Sequence, residues 1–259
     1  MRRFKQTDML YPLLGVMLFL LLWQAAATWL VAREWILPSP LAVARAFAAN
    51  MPLLLRHSLY TLGEAAAGMA LAVLLAMIIA WLLSLSQAMR KAIYPLLLAS
   101  QMVPIIVLAP LFIIWFGCGL LPKILVVVLI CFFPAAINIL AGLNASDAEM
   151  LAFYSTLGLN KRQLLFKVRL PQALPYFFSG LRIAAVYSVM GAVIGEWLGA
   201  QAGLGLLLVR AQQSFDLPLA FAAILAIIIW SSLIFLLVAL VERRALSWQH
   251  YLNSEKWRV

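Results

Sequence analysis

Long apolar runs separated by short polar clusters set the pattern of this chain. The runs cover roughly residues 10–31, 59–83, 93–116, 124–143, 177–198 and 219–241. Each is close to the 20 or so residues that a helix needs to cross a bilayer's hydrocarbon core. The pattern predicts an all-α integral membrane protein of about six transmembrane helices. The third run carries Pro104 and Pro110. Each proline deprives a helical carbonyl of its partner, those of Ser100 and Ile106. Pro38 and Pro40 around Ser39 predict an extended turn after the first run. Residues 41–55 hold Arg45, Asn50 and Pro52; they are too polar to span and read as a short interfacial helix. Residues 199–218 read as a glycine-rich connection.

The long polar segment 144–176, between the fourth and fifth runs, breaks the pattern most strongly. Its centre, 158–171, holds Lys161, Arg162, Lys167 and Arg169. Apolar residues at helical spacing precede it (Leu151, Tyr154, Leu157), after Asp147. Gly158 can end that helix by taking positive φ. Asn160 is suited to cap a second short helix, and Pro171 to stop it. The spacing alone leaves two readings open: a compact helix-turn-helix knob, or an ordinary basic loop required by topology.

Composition agrees with the spans: 66% of the 259 residues are hydrophobic and 11% charged, against about 25% charged in soluble domains. The formal net charge of +10 lies mostly between spans, as the positive-inside rule expects, and no nucleic-acid-binding motif accompanies it. With six spans, both termini share one side with Arg2, Arg3, Lys5, Arg90, Lys91, Lys161, Arg162, Lys167, Arg169, Arg182, Arg243, Arg244, Lys256 and Arg258. The other side holds only Arg33, Arg45, Arg56, Lys123 and Arg210. That bias assigns both termini and the 144–176 segment to the cytoplasm.

Chemistry enters mainly by exclusion. There is no Gly-Lys dipeptide for a Walker A loop and no nucleophile–base set. Cys118 and Cys131 form no CxxC pair, so a metal site is not expected, and His57 and His250 stand alone. The chain reads as a non-enzyme without cofactor. The ionisable residues inside spans are Glu64, Arg182 and Glu196, all near span ends. An ion-coupled carrier usually shows more, or places them mid-span; an ion-coupled secondary transporter or channel stands as the alternative.

Gly158, nine residues, then Val168-Arg169-Leu170-Pro171 resembles the signature loop of bacterial ABC importer permeases: Glu-Ala-Ala, three residues, Gly, nine residues, Ile-x-Leu-Pro. Val168 takes the Ile place, while Ala152-Phe153-Tyr154 stands where Glu-Ala-Ala is usual. Ile36-Leu37-Pro38-Ser39-Pro40, the stretch from Pro104 through Ala109-Pro110-Leu111 to Trp115-Phe116-Gly117, and Gly203-Leu204-Gly205 resemble the nitrate/sulfonate/taurine class, which includes importers of thiamine pyrimidine precursors. Glu64 before Gly68 and Gly195-Glu196-Trp197-Leu198-Gly199 are more similar to the pyrimidine branch.

The resemblance implies a single transmembrane permease domain over 1–259, with core spans within 59–241 and a cytoplasmic coupling loop over 144–176. It implies a homodimer of such chains in the lipid of a bacterial inner membrane, cytoplasmic ATP-binding subunits that alone bind ATP, and an extracytoplasmic substrate-binding protein. The solute would be a pyrimidine thiamine precursor, a sulfonate or a taurine-like molecule. Ala152, Gly158, Lys161, Arg162, Val168, Leu170 and Pro171 would couple to the ATPase. Gln101, Asn138, Glu196 and Trp197 are candidates for lining the substrate path; packing explains Gln101 and Asn138 as well, and interfacial anchoring explains Trp197.

Overall fold

The computed structural model describes residues 6–31, 36–146, 148–197 and 199–247. Arg2, Arg3, Lys5, Arg33, Asp147, Leu198, His250, Lys256 and Arg258, all weighed above, lie outside the described residues. Every element among the described residues is helical: α1 (Gln6–Ala25, extended by a π turn Ala26–Val31), α2 (Pro40–Ala49), α3 (Met51–Leu85), α4 (Gln87–Ser100), α5 (Ile105–Phe116), α6 (Leu120–Leu143), α7 (Ala148–Thr156), α8 (Lys161–Leu164, followed by a π turn Leu165–Arg169), α9 (Leu170–Glu196), α10 (Leu204–Gln213) and α11 (Leu217–Ala245).

Among the described residues, five stretches are long and apolar enough to cross a membrane, within α1, α3, α6, α8–α9 and α11. The sixth predicted span is different. It breaks at Gln101-Met102-Val103-Pro104 into α4 and α5, which meet at 94°. Pro104 has no N–H to continue α4, and its extended backbone (φ −63°, ψ 118°) starts α5 afresh. At about 1.5 Å per residue neither piece crosses a core of roughly 30 Å alone. Pro110, by contrast, sits inside a continuous α5.

Two further segments depart from expectation. Residues 199–218 contain α10, whose Leu204, Leu207, Leu208 and Ala211 are buried against Leu54 and against Ala220, Ala223 and Ala226 of α11. Their i, i+3, i+4, i+7 spacing is that of one helical face. Pro171 does not stop a helix either. The chain from Arg162 to Glu196 runs on as one 35-residue stretch. The π turn before Pro171 widens the helix, as in the Leu170 N–H bond back to Leu165 O, and relieves the ring's clash with the preceding turn.

Packing centres on α6, which lies between α3 and α9. Without a hydrophobic drive inside lipid, helices associate through close backbone approach, and small residues permit it. A Cβ on Gly68 of α3 would overlap Val127 of α6. On α9, a Cβ at Gly180 would stand 3.2 Å from Ala135 Cα, and one at Gly191 3.1 Å from Val127 Cα. Cys131 is buried in the same layer, its Sγ 3.3 Å from Ala184 O. α1 is exposed along most of its length, as a lipid-facing helix is, and Trp23 ties it in. The indole Nε1–H donates to Pro38 O (3.1 Å), and the ring packs on Phe221 of α11. Arg182 pairs with Glu242 of α11 at 3.2 Å.

These contacts divide the bundle into two ends. The C-terminal parts of α3 and α6 and the N-terminal part of α9 share one core, with Leu83, Leu143 and Ala173. Arg90 and Lys91 of α4 lie beside Asn144 there. The opposite end gathers the N-terminal parts of α3, α6 and α11 with α10.

The packing predicts that Gly180→Leu destabilises the protein by about 1–3 kcal/mol through overpacking against α6. Gly15→Leu on α1, with nothing within 4 Å, leaves the melting temperature in detergent unchanged. Equal melting of the two variants would contradict this packing.

Candidate functional site

At the end opposite the 144–176 segment, three polar residues line one face of α3: His57, Thr61 and Glu64, at i, i+4 and i+7. All three are buried. The chain entering α10 packs against them. His57 Nδ1 lies 3.0 Å from Gly203 N and 2.8 Å from Gly203 O, so either neutral tautomer finds a partner on this one residue. The Leu204 N–H donates to Thr61 Oγ1 (2.8 Å). Thr61 donates in turn to Glu196 Oε1 (2.7 Å), at the end of α9. Glu196 Oε2 accepts from the Gly205 N–H (2.5 Å). A fully buried carboxylate is thus held by a hydroxyl and by the N-terminus of α10, where unpaired amides and the helix dipole favour negative charge.

Glycine makes this closure possible. Gly203 has φ +133°, and a Cβ there would fall on the Glu196 carboxylate. A Cβ on Gly195 would stand 3.1 Å from Lys123 Cα, so α6 approaches α9 closely at this level. Lys123 Nζ donates to Glu64 Oε1 at 2.6 Å in a largely buried ion pair. Glu64 Oε2 is the one buried side-chain oxygen or nitrogen without a hydrogen-bond partner among the described residues.

At the other end, the 144–176 segment is folded. α7 closes in a Schellman motif: Leu159 N–H to Tyr154 O (3.2 Å) and Gly158 N–H to Ser155 O (3.0 Å), with Gly158 at φ +84°. Asn160 and Gln163 then form a reciprocal cap. The Gln163 N–H donates to Asn160 Oδ1 and the Asn160 N–H to Gln163 Oε1, each at 2.9 Å. Ser146 donates to Gln172 Oε1 (2.5 Å), tying the start of the segment to α9. Val168 is buried, and Leu170 and Pro171 are half-buried in the helix that becomes α9. Ala152 is exposed, as are Phe153 (60%), Leu157 (60%) and Phe166 (55%). Arg162 lies over the Phe166 ring at 5.9 Å. The side chain of Lys161 lies outside the described residues.

Of the four path candidates, Glu196 alone joins the buried cluster. Trp197 follows it and is 42% exposed. Gln101 is exposed in the α4–α5 break, and Asn138 bonds Pro134 O within its own helix (2.7 Å) and packs against Gly180. His57, Thr61, Lys123 and Gln163 are functional candidates that the sequence reading passed over. The i, i+4, i+7 polar stripe on α3 and the Asn-x-x-Gln spacing carried the signal for all but Lys123.

Residues 72–247 match the family described as "Binding-protein-dependent transport system inner membrane component". Among curated proteins, the chain is 35% identical over 241 residues to the formylaminopyrimidine transport permease protein ThiX of Halalkalibacterium halodurans, covering 93% of this chain and 96% of that one. It is 38% identical over 245 residues to the riboflavin transport system permease protein RibX of Chloroflexus aurantiacus, covering 92% and 91%. It is 30% identical over 234 residues to the putative aliphatic sulfonates transport permease protein SsuC of Bacillus subtilis, covering 88% and 84%.

The Thr61 hydroxyl both donates and accepts in this cluster. Thr61→Val strands the Leu204 amide and one Glu196 oxygen, at a cost of about 1–3 kcal/mol each. A lower melting temperature and faster thiol labelling of a cysteine placed at Leu204 are the expected readouts. An unchanged labelling rate would mean that this contact does not hold α10.

Proposed function

The chain belongs to the family of binding-protein-dependent transport system inner membrane components, and from that premise we propose that it is the permease subunit of an ABC importer. It moves a small organic solute into the cytoplasm: a pyrimidine or other heteroaromatic like those named for two of its relatives, or a sulfonate or taurine-like molecule. A separate cytoplasmic ATP-binding subunit drives it, and an extracytoplasmic binding protein delivers the solute. The whole chain acts as one permease domain, with core spans within 59–241 and the coupling loop at 144–176. Two copies form the pathway in the inner membrane.

The observation that supports this reading best is the continuity of the 144–176 knob with a span. A turn capped at both ends by hydrogen bonds runs into the 35-residue stretch Arg162–Glu196. At about 1.5 Å per residue this is a lever of roughly 50 Å. Its far end is Glu196, in the buried cluster that holds α10. Displacing the knob therefore moves one wall of that cluster. The exposed Phe153, Leu157 and Phe166 form an apolar face for the ATPase. An apolar contact also suits the Ala152-Phe153-Tyr154 start, where the signature's acidic residue is absent. Gly158, Arg162, Val168, Leu170 and Pro171 shape and hold this knob, and Lys161 and Ala152 are counted with them as coupling residues.

The distribution of basic residues supports an orientation. Arg90, Lys91, Arg162, Lys167, Arg169, Arg243 and Arg244 belong to elements that end or turn on the knob side. The positive-inside rule supports reading that side as the cytoplasm, and both termini as cytoplasmic with it.

Three measurements test the reading. The chain purified from its host membrane should carry an ATP-binding subunit with it, and Phe153→Asp with Leu157→Asp should remove that subunit without lowering the permease's melting temperature. Vesicles holding the chain alone should show no gradient-driven uptake; uptake there would overturn the assignment. Gly158→Asp strains the αL turn by about 1–2 kcal/mol and places a charge at the docking face, so solute uptake should fall while membrane insertion persists.

A further inference from the structure

On the 144–176 side, a cavity of about 640 Å³ lies between the knob and the C-terminal end of α3. Trp81 and Leu85 of α3, Leu151 of α7, and Arg162, Phe166 and Arg169 of the helical stretch leading into α9 wall it. Leu83 and Ala173, within about a turn of Trp81 and Arg169, belong to the packed core of this end. The cavity therefore sits where the apolar bundle gives way to the polar knob. Its volume falls within the roughly 300–1,000 Å³ range of small-molecule sites.

Two kinds of wall meet here. Leu74, Ile78, Trp81 and Leu85 stand at i, i+4, i+7 and i+11 on α3, and all four are exposed. One apolar stripe of a membrane-crossing helix thus runs up to the cavity. An acyl chain suits such a stripe, and indole rings settle at the level of lipid headgroups. At the end of the stripe are two guanidinium groups. Arg162 lies over the Phe166 ring at 5.9 Å, a contact that leaves N–H donors for an anion. Arg169 is half-buried. Neither forms an ion pair with a described residue. Phosphate takes planar guanidinium donors two at a time, and basic pockets between spans bind anionic headgroups. A soluble anion would leave the apolar walls wet. Of the knob's three exposed large apolar residues, only Phe166 reaches the cavity; Phe153 and Leu157 remain for another partner.

We propose that this cavity is a binding site for an anionic phospholipid. Arg162 and Arg169 hold the phosphate, and the first acyl segments lie on Trp81 and the α3 stripe. Both arginines belong to the one helical stretch that continues into α9, so a lipid bound here braces the root of the knob against α3. The inference requires only that the chain crosses a membrane, and it stands if the importer reading falls.

The test uses the full chain, with any subunit that co-purifies, in nanodiscs of phosphatidylglycerol and phosphatidylcholine in equal parts with the same acyl chains. Lipid retained after transfer to detergent is identified by native mass spectrometry. Phosphatidylglycerol should be retained at least about ten-fold over phosphatidylcholine, the scale that two basic side chains beside an anionic headgroup support. Arg162→Gln with Arg169→Gln should abolish that preference, with the melting temperature in phosphatidylcholine unchanged. Arg162→Lys with Arg169→Lys keeps the charge and should keep a preference. Arg243→Gln with Arg244→Gln removes the same charge from the end of α11 and should leave the preference intact. Glycerol 1-phosphate in excess should not displace the lipid. Equal retention of both lipids, a preference that survives the loss of Arg162 and Arg169, or one lost equally with Arg243 and Arg244 would each overturn the site. Displacement by glycerol 1-phosphate would make it a soluble-anion site, and displacement by an added ATP-binding subunit would assign the arginines to that subunit; either result also overturns the proposal.

Discussion

A carboxylate buried beside a membrane-spanning bundle has no water to satisfy it, and the architecture at one end of this protein depends on how Glu196 meets that constraint. Its two oxygens take the Thr61 hydroxyl and the Gly205 amide. The first bond fastens α9 to α3, the second fastens α9 to α10. Thr61 also accepts from Leu204, so three helices share one polar junction. Remove the carboxyl group and the Gly205 amide at the N-terminus of α10 loses its acceptor. Remove the glycines and the chain cannot come close enough for the bonds to form. The ion pair of Glu64 with Lys123 extends the junction to α6.

The opposite end solves a different problem. A polar segment leaves the bundle and must keep a fixed shape in water. Local hydrogen bonds do this: the Schellman closure at Gly158 and the Asn160–Gln163 cap use backbone groups that a loop would otherwise expose to solvent. The apolar residues left outward are then an asset, because a rigid apolar face can bind without a large ordering cost. Since α8 passes through a π turn into α9 without ending, the two ends of the molecule are joined by one helix.

Much of this was legible along the chain because it rests on local chemistry. Apolar run length marked the spans, Gly158 marked the turn, and Asn160 marked the cap. The acidic residues near span ends were visible as ionisable groups in apolar surroundings. The misreadings have physical causes as well. Proline is ambiguous: Pro104 divides a span into two helices, Pro110 sits within one, and Pro171 is absorbed by a π turn. α10 was hidden because its flanking glycines read as loop, although its leucines keep helical spacing.

By itself, then, the sequence determined the membrane class, the number of hydrophobic runs and the knob's local turn. Those properties depend on composition and on neighbours within one or two helical turns. Only the tertiary structure decided that Glu196 is a buried junction partner, that Lys123 serves Glu64 from 59 residues away, and that His57 and Thr61 meet the α10 entry more than 140 residues later. Such pairings follow from which helix faces pack together, and side-chain volume at glycine notches sets that packing across the whole bundle.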